Sequence, residues 1–372
     1  MITIVGAGIA GPLLAYMLDK GGVACNVLEC DPSLAARHQG GMLNLNEATG
    51  QAALRAAGLH DLVNGHVLAG GDATRIRDRD GRILYDDEGN GSRPEIDRGT
   101  LRRLIVEALP EGVVRWGSKV DSIARDGVGF RITLADGSVS FADAIIGADG
   151  AWSKVRALLT DQQPQYTGIT FVELRYLDAR HSHPVARSVI GEGLMFALAK
   201  GQGIIGHREP DDELCVYAAL SLPEQSARSE FGREALLDHY RDWGADYRTM
   251  LARSDGGLIV RPIYALPTGR FWLTAPGATL VGDAAHVMSP FAGEGVNLAM
   301  VDASDLATAI LERPSDLDAA FALYEARMAQ RTVPSQEESA ANLALAFADD
   351  APAGFVKLFE SLGNTEPGPA TQ

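Results

Sequence analysis

Apolar positions along the chain change their spacing repeatedly, and each change marks an element. The short run Ile2-Thr3-Ile4-Val5 reads as a strand, Pro12-Leu13-Leu14-Ala15-Tyr16-Met17-Leu18 carries a helical apolar pattern, and Ala24-Cys25-Asn26-Val27-Leu28-Glu29 reads as a second strand ending in an acid. Asn46 to Leu59 predicts a short helix stopped at Gly58-Leu59. From Ala73 to Asp87 the pattern is a hairpin turning at Asp80-Gly81. Thr100 to Leu109 has Leu101, Leu104, Ile105 and Ala108 at helical spacing, and Val113–Trp116 and Lys119–Ile123 are strand candidates. Phe130–Leu134 and Val139–Phe141, joined through Asp136-Gly137, form the clearest hairpin, and Ala144-Ile145-Ile146-Gly147 is a buried strand.

Beyond about Gln162 the pattern becomes alternating. Thr170–Tyr176 and Leu214–Leu220 predict a second, mostly antiparallel sheet within 166–222. Phe231 to Ala252 reads as helix, 279–282 as a strand, Glu294 to Leu311 as helix, and 316–362 as a long helical region broken near Pro334. The tail after Gly363 is expected to be disordered.

Between the first strand and helix stands Gly6-Ala7-Gly8-Ile9-Ala10-Gly11, a G-x-G-x-x-G turn. Gly6 permits the tight bend, Gly8 lets backbone approach a pyrophosphate, and Gly11 lets helix and strand pack closely. Glu29 follows roughly twenty residues later, where a carboxylate grips ribose hydroxyls. Two more glycine-bearing turns follow buried strands. They are Gly147-Ala148-Asp149-Gly150 and Gly282-Asp283-Ala284-Ala285-His286, the latter leading into Pro290-Phe291-Ala292-Gly293-Glu294-Gly295-Val296-Asn297. Singly each is an ordinary turn signal. Their order behind a dinucleotide fingerprint is what carries meaning.

Composition bounds the rest. The 372 residues suggest two domains, 46% hydrophobic content suffices for buried cores, and a net charge of -16 argues against nucleic acid or an anionic membrane as partner. Three cysteines, Cys25, Cys30 and Cys215, make no C-x-x-C unit, so a reduced compartment and a cytoplasmic location are expected. The apolar opening lacks the basic leading segment of a secretion signal, and no other window is long and apolar enough to span a bilayer. His181 and His183 have no evident third ligand, so no metal site is expected, and His286 reads as a fold-supporting hydrogen-bond donor.

These motifs, in this order, resemble the class A flavin-dependent monooxygenases of the para-hydroxybenzoate hydroxylase superfamily. Within it the chain is similar to the tetracycline-inactivating monooxygenases. Gly40-Gly41-Met42-Leu43-Asn44-Leu45, Arg93-Pro94-Glu95-Ile96-Asp97-Arg98-Gly99-Thr100-Leu101-Arg102 and the run Gly282–Asn297 carry that likeness. The resemblance implies an α/β fold: a Rossmann-like FAD-binding domain (1–72, 93–165 and 270–315), an inserted, mostly antiparallel β-sheet substrate domain (73–92 and 166–269), and a long C-terminal helix (316–362). It implies FAD as cofactor and NADPH or NADH as reductant. It also implies O2 as co-substrate and hydroxylation of a small aromatic or polycyclic compound through a flavin C4a-hydroperoxide, by a monomer or weak homodimer.

For individual positions, the resemblance implies that Glu29 binds the adenosine ribose and that Arg37 and Arg102 contact FAD. Asp283 bonds hydroxyls on the ribityl or phosphate side. Gly293 and Gly295 bring backbone N–H groups to the flavin, and Asn297 supports the same edge. Asp149 is either structural or serves FAD or pyridine nucleotide. The Gln, Arg and His that grip tetracycline in that family are not found at the matching places; Ala186–Met195 carries other polar residues, and Tyr217 stands where the His is expected. Candidate substrate walls are Phe171, Arg175, Met195, Tyr217, Pro290, Phe291 and Gly293, with core packing the alternative for those on the sheet. No side-chain acid or base is assigned to catalysis. Rival readings are a halogenase or reductase on the same scaffold, or a ligand-binding protein without activity. A halogenase is expected to carry a W-x-W-x-I segment, whereas Trp243 and Trp272 stand alone.

Overall fold

A computed structural model describes residues 1–36, 41–91, 93–227 and 232–363. The chain forms two compact units, one from residues 1–67, 98–165 and 264–339, the other from 68–97, 166–263 and the chain from 340 on.

The first unit is organised by a five-stranded parallel sheet in the order Ala278–Leu280, Ala144–Gly147, Ile2–Val5, Cys25–Leu28, Val114–Arg115. Ile2–Val5 and Ala144–Gly147 are buried throughout, which is why their sequences are continuous apolar runs rather than alternating ones. The helix Ala10–Lys20 carries the chain from the first strand to its neighbour, and Gly295–Glu312 packs against that helix. Strand order reverses direction at Ile2–Val5, the place in such sheets where a ligand binds beyond the carboxyl ends of the strands. Because the strands are parallel, the turns after Val5, Leu28, Gly147 and Leu280 all leave by the same edge. Short bonds knit them together there: Gly6 N to Leu28 O at 2.8 Å, Ala148 N to Val5 O at 2.7 Å, and Val281 N to Gly147 O at 2.8 Å. A three-stranded antiparallel sheet, Val139–Ala142, Gly129–Leu134 and Val120–Asp126, contains the expected hairpin.

The second unit holds a seven-stranded sheet: Asp255–Ala265, Gln165–Tyr176, Leu214–Ser221, Gln202–Arg208, Leu194–Ala199, Thr74–Arg77, Ile83–Asp87. Its central pairings are antiparallel, except that Leu194–Ala199 runs parallel to Thr74–Arg77. One face buries Val172, Leu174, Tyr176, Val216, Ala218 and Ile204 in an apolar core with residues of the helices Pro184–Ile190, Arg233–His239 and Ala245–Ala252. On the opposite face Phe196 meets Phe355 and Phe359 of the helix Ala353–Gly363, at 5.1 and 5.9 Å between ring centres.

Three expectations change. The predicted helix over 231–252 is two helices, Arg233–His239 and Ala245–Ala252, parted where Gly244 N bonds to Arg79 O instead of continuing a helical ladder. The long C-terminal helix does not break at Pro334; it runs unbroken over Leu317–Ala346, and the interruption comes before Ala353–Gly363. Proline removes one ladder bond, but side chains on either side anchor this helix, from Tyr324 Oη on Leu280 O at 2.8 Å to Gln336 Oε1, which accepts Gly269 N at 3.1 Å. The segment 46–59 is helical as expected, but opens with a π-helical turn, Glu47–Gln51, capped by Asn46. The tail lies outside the described residues. Among those residues no helix is long and apolar enough to cross a membrane.

Candidate active site

The glycine turn after Ile2–Val5 divides its labour by residue. Gly6 has φ +105°, a left-handed conformation in which a Cβ would run into the Ala148 carbonyl. A Cβ on Gly11 would fall on the carbonyl oxygen of Gly6. These two glycines are required by the protein's own packing. Gly8 is different: among the described residues, chain neighbours apart, no atom lies within 4 Å of where its Cβ would stand. Its lack of a side chain therefore keeps space open. The helix Ala10–Lys20 begins beside it with no side-chain cap and no acid in its first turn, so its positive end is available to an anion.

Glu29, 4% exposed, stands against this turn. Its carboxylate accepts Ala7 N at 2.6 Å and Asp31 N at 2.9 Å. Arg102 is 2% exposed, donates Nε to Ala7 O at 2.6 Å, and lies 3.4 Å from Asp31 Oδ2 and 3.8 Å from Glu29 Oε2. The guanidinium also sits over the Trp116 ring at 5.5 Å. The structure thus ties Arg102 to the turn itself, holding the corner in which Glu29 is set. Glu29 Oε1 also accepts Cys30 Sγ at 3.2 Å, which leaves Oε2 as the oxygen with a second lone pair for a hydroxyl donor. Arg37, expected to contact the cofactor, lies outside the described residues.

Asp149 is a turn organiser. It accepts Ser153 Oγ at 2.5 Å and Lys154 N at 2.7 Å. Burial pushes its carboxyl up, against these same bonds, which hold it down. Sequence reasoning missed Arg156, three residues beyond Ser153. It is 2% exposed and donates to Ala151 O and, at 2.9 Å, to Ala284 O, so the Asp149-Gly150 and Gly282-Asp283 turns share one guanidinium. Asp302 was missed too. This fully buried carboxylate accepts Gly282 N at 2.9 Å, His286 Nε2 at 2.6 Å and Arg331 Nη2 at 2.9 Å. A buried acid inside an apolar helical stretch was the signal available for it. Asp283 itself is exposed, and His286, 1% exposed, supports the turn as expected.

After the 3-10 turn Pro290–Ala292, Gly293 takes φ +68°, and the helix Gly295–Glu312 starts without a side-chain cap or an acid in its first turn. Among the described residues, neighbours in the chain and helix apart, nothing lies within 4 Å of the Cβ positions of Gly293 and Gly295, a second open cradle at a helix N-terminus. Asn297, 0% exposed, fastens that cradle. Its Nδ2 donates to Asn44 O at 3.0 Å and Gly293 O at 3.2 Å, and its Oδ1 accepts Asn46 N at 3.1 Å. Asn297→Ala leaves these buried groups unpaired. It is expected to cost about 1–3 kcal/mol and to speed cofactor release, read by thermal unfolding and by the rate of flavin fluorescence recovery on dilution.

Residues 1–316 match the model of the FAD-binding-domain family. The chain belongs to this family. Two open glycine cradles, each at an uncapped helix start, fit a dinucleotide with a flavin at one end. Across nearly its whole length the chain is similar to monooxygenase asqM of Emericella nidulans, 29% identical over 94% of this chain and 96% of the relative. It is also similar to the 3-amino-4-hydroxybenzoate 2-monooxygenase of Streptomyces cremeus, 29% identical over 89% of this chain and 84% of the relative. Tetracycline destructase Tet(51) shares its fold, with a TM-score of 0.76 and 19% identity over 100% of this chain and 99% of that one. The chain is an FAD-dependent monooxygenase of class A.

Four of this monooxygenase's candidate substrate residues fall on its seven-stranded sheet, and they do not share a face. Phe171, Arg175 and Tyr217 lie on the face opposite the helices, with the Phe171 and Tyr217 rings 5.2 Å apart. Met195, 0% exposed, belongs to the apolar core beneath the helices; the two-residue period of its strand turns it away from Phe196. It is a packing residue, not part of a wall with Phe171. Arg175 is engaged, 2.6 Å from Glu209 and 2.9 Å from Glu213. In the FAD-binding unit, Pro290 and Gly293 are exposed and Phe291 half-buried.

Proposed function

We propose that this monooxygenase takes electrons from NADPH or NADH and inserts one atom of O2 into an uncharged polycyclic aromatic or phenolic compound, a tetracycline-like polyketide among the candidates. The observation that carries this reading is the Phe171–Tyr217 ring pair beside an Arg175 already neutralised by two carboxylates. Adjacent aromatic rings favour flat aromatic surfaces. A guanidinium held between Glu209 and Glu213 is a poor clamp for a substrate carboxylate. The Streptomyces cremeus relative is named for a benzoate, which supports an aromatic substrate and provides the contrast to test.

Bound FAD supplies the electron transfer and oxygen activation. The residues of this chain bind and orient it. Glu29 would receive the adenosine ribose hydroxyls, the open N-terminus of Ala10–Lys20 and Gly8 would receive the pyrophosphate, and Asp283 would bond its polar groups. The N–H groups at Gly293 and Gly295 stabilise negative charge at the flavin edge, with Asn297 holding them in place. Pro290 and Phe291, on the turn that leads to Gly293, would exclude water from the reacting ring. No cysteine forms a disulfide, which supports a reducing, cytoplasmic setting.

The test is substrate-stimulated NADPH and NADH oxidation under labelled O2, with tetracyclines, anthraquinone-like polyketides, simple phenols and benzoates compared. Uncharged polycyclic compounds are expected to stimulate oxidation by about tenfold or more over benzoates, a discrimination of about 1.4 kcal/mol, and to gain one labelled oxygen atom. Cofactor oxidation without label in any product sinks the oxygenase reading; benzoates as the preferred substrates sink the uncharged-ligand reading alone.

A further inference from the structure

One buried charged cluster in the FAD-binding unit has no part in the chemistry above. His286, 1% exposed, ends the single helical turn Asp283–His286. Its Nε2 lies 2.6 Å from Asp302 Oδ2, which also accepts the Gly282 N–H at 2.9 Å. Asp302 Oδ1 accepts Arg331 Nη2 at 2.9 Å, and Arg331 Nη1 reaches Asp305 Oδ2 at 2.6 Å. His286 Nδ1 is buried and has no hydrogen-bond partner among the described residues.

The geometry fixes one proton. A carboxylate oxygen accepts, so Nε2 must carry hydrogen. Charge counting speaks for the second. Asp302 and Asp305 against Arg331 leave one negative charge, which a protonated His286 cancels. Burial opposes charge on the ring, but Asp302 and, more weakly, Asp283 outweigh it, so the ring titrates above the ordinary histidine value. The groups facing this turn are Asp302 from the helix Gly295–Glu312, Arg331 behind it from Leu317–Ala346, and Arg156, which donates to Ala284 O.

We propose that His286 is a positioning residue for the cofactor: as an imidazolium bonded to Asp302, it locks the Gly282–Asp283 turn in the geometry that presents Asp283 to FAD. FAD affinity is therefore linked to one proton on His286. Deprotonation at Nδ1 removes the positive charge of that ion pair and leaves the turn to hydrogen bonds without it: Nε2–H to Asp302, Gly282 N to Asp302 and Arg156 to Ala284 O. This rests on the reading of Asp283 as a cofactor contact.

The test measures FAD dissociation from diluted holoenzyme by flavin fluorescence, at a series of pH values above about 6.5, the ordinary histidine value. In the wild type Kd rises about tenfold as pH climbs through the His286 titration. His286→Gln, whose amide can still donate to Asp302, binds about tenfold more weakly at the low end and shows a flat profile. Asp302→Asn, with the charge removed and an acceptor kept, flattens it as well. In an Asp283→Ala background, His286→Gln costs nothing further. The proposal is overturned if His286→Gln keeps the wild-type slope, or if it weakens binding equally with and without Asp283. An Asp283→Ala variant with wild-type Kd instead overturns the reading of Asp283, a separate outcome. Thermal unfolding of each variant shows whether it is folded, and Asp302→Asn decides the matter should His286→Gln not fold.

Discussion

A Gly8→Val variant is expected to fold and to come out of purification colourless. Among the described residues, and apart from its chain neighbours, no atom stands within 4 Å of the Cβ position, so the added side chain meets none of them. Substitutions that touch nothing usually change stability by no more than about 0.5 kcal/mol. The space it fills is the space through which backbone approaches a pyrophosphate. Two methyl groups there hold the phosphates away from the N–H groups of the helix start, and FAD Kd should rise by about 100-fold or more, some 2.7 kcal/mol. Gly11→Val behaves otherwise. Its Cβ falls on the Gly6 carbonyl, so strand, turn and helix must separate, and fold and flavin are lost together. Visible flavin absorbance and thermal unfolding, measured on both variants, separate the two outcomes. A yellow Gly8→Val protein with wild-type Kd would falsify the placement of the cofactor.

Asp302→Ala is expected to cost the fold several kcal/mol while leaving the glycine turns unobstructed. The residue is 0% exposed and is the acceptor shared by Gly282, His286 and Arg331. Removing one partner of a buried ionic cluster typically costs about 3–5 kcal/mol, because the opposite charges stay buried without compensation. For a unit of this size that lowers Tm by roughly 10 °C. The pH dependence has a definite sign. A histidine whose folded pKa is raised binds more protons folded than unfolded, so its contribution is complete below about pH 6.5 and declines as pH rises through the folded value. Burial works against the His286 charge, and Asp302 is the main group that restores it. Wild-type stability should therefore slope downward above neutrality, and Asp302→Ala should have a shallower slope. Buried His207, paired at 2.7 Å with Glu95 and also raised, keeps part of the slope in both proteins. An Asp302→Ala protein as stable as wild type, with the same slope, removes the cluster from the account.

Much of the cofactor side was legible because it is written in neighbouring residues. A positive φ at Gly6 or Gly293 needs glycine at that very position, and a parallel strand buried on both faces needs an unbroken apolar run. Strand, turn and helix at 2–20 follow from local period and local sterics, and so do the Asp136-Gly137 hairpin and the glycines of 293–295. The face of a sheet residue is less secure. Met195 and Phe196 are adjacent and both apolar, and only the packing of helices on one side decides which is core. Pro334 shows the same limit: the local rule says break, and the anchoring of Leu317–Ala346 along its length overrides it.

By itself the sequence determined a parallel nucleotide-binding sheet, three glycine turns at its carboxyl edge, an acid after the second strand and hence a dinucleotide site. Each is a matter of steric freedom and periodicity within a few residues. Only the tertiary structure decided what holds those turns in register. Arg156 finds the Ala284 carbonyl 128 positions away, Asn297 finds Asn44 at a separation of 253, and Asp302 gathers Gly282, His286 and Arg331. Leaving a buried polar group unpaired is costly. Which partner it takes is settled by the packing of whole helices against the sheet, and no spacing along the chain encodes that choice.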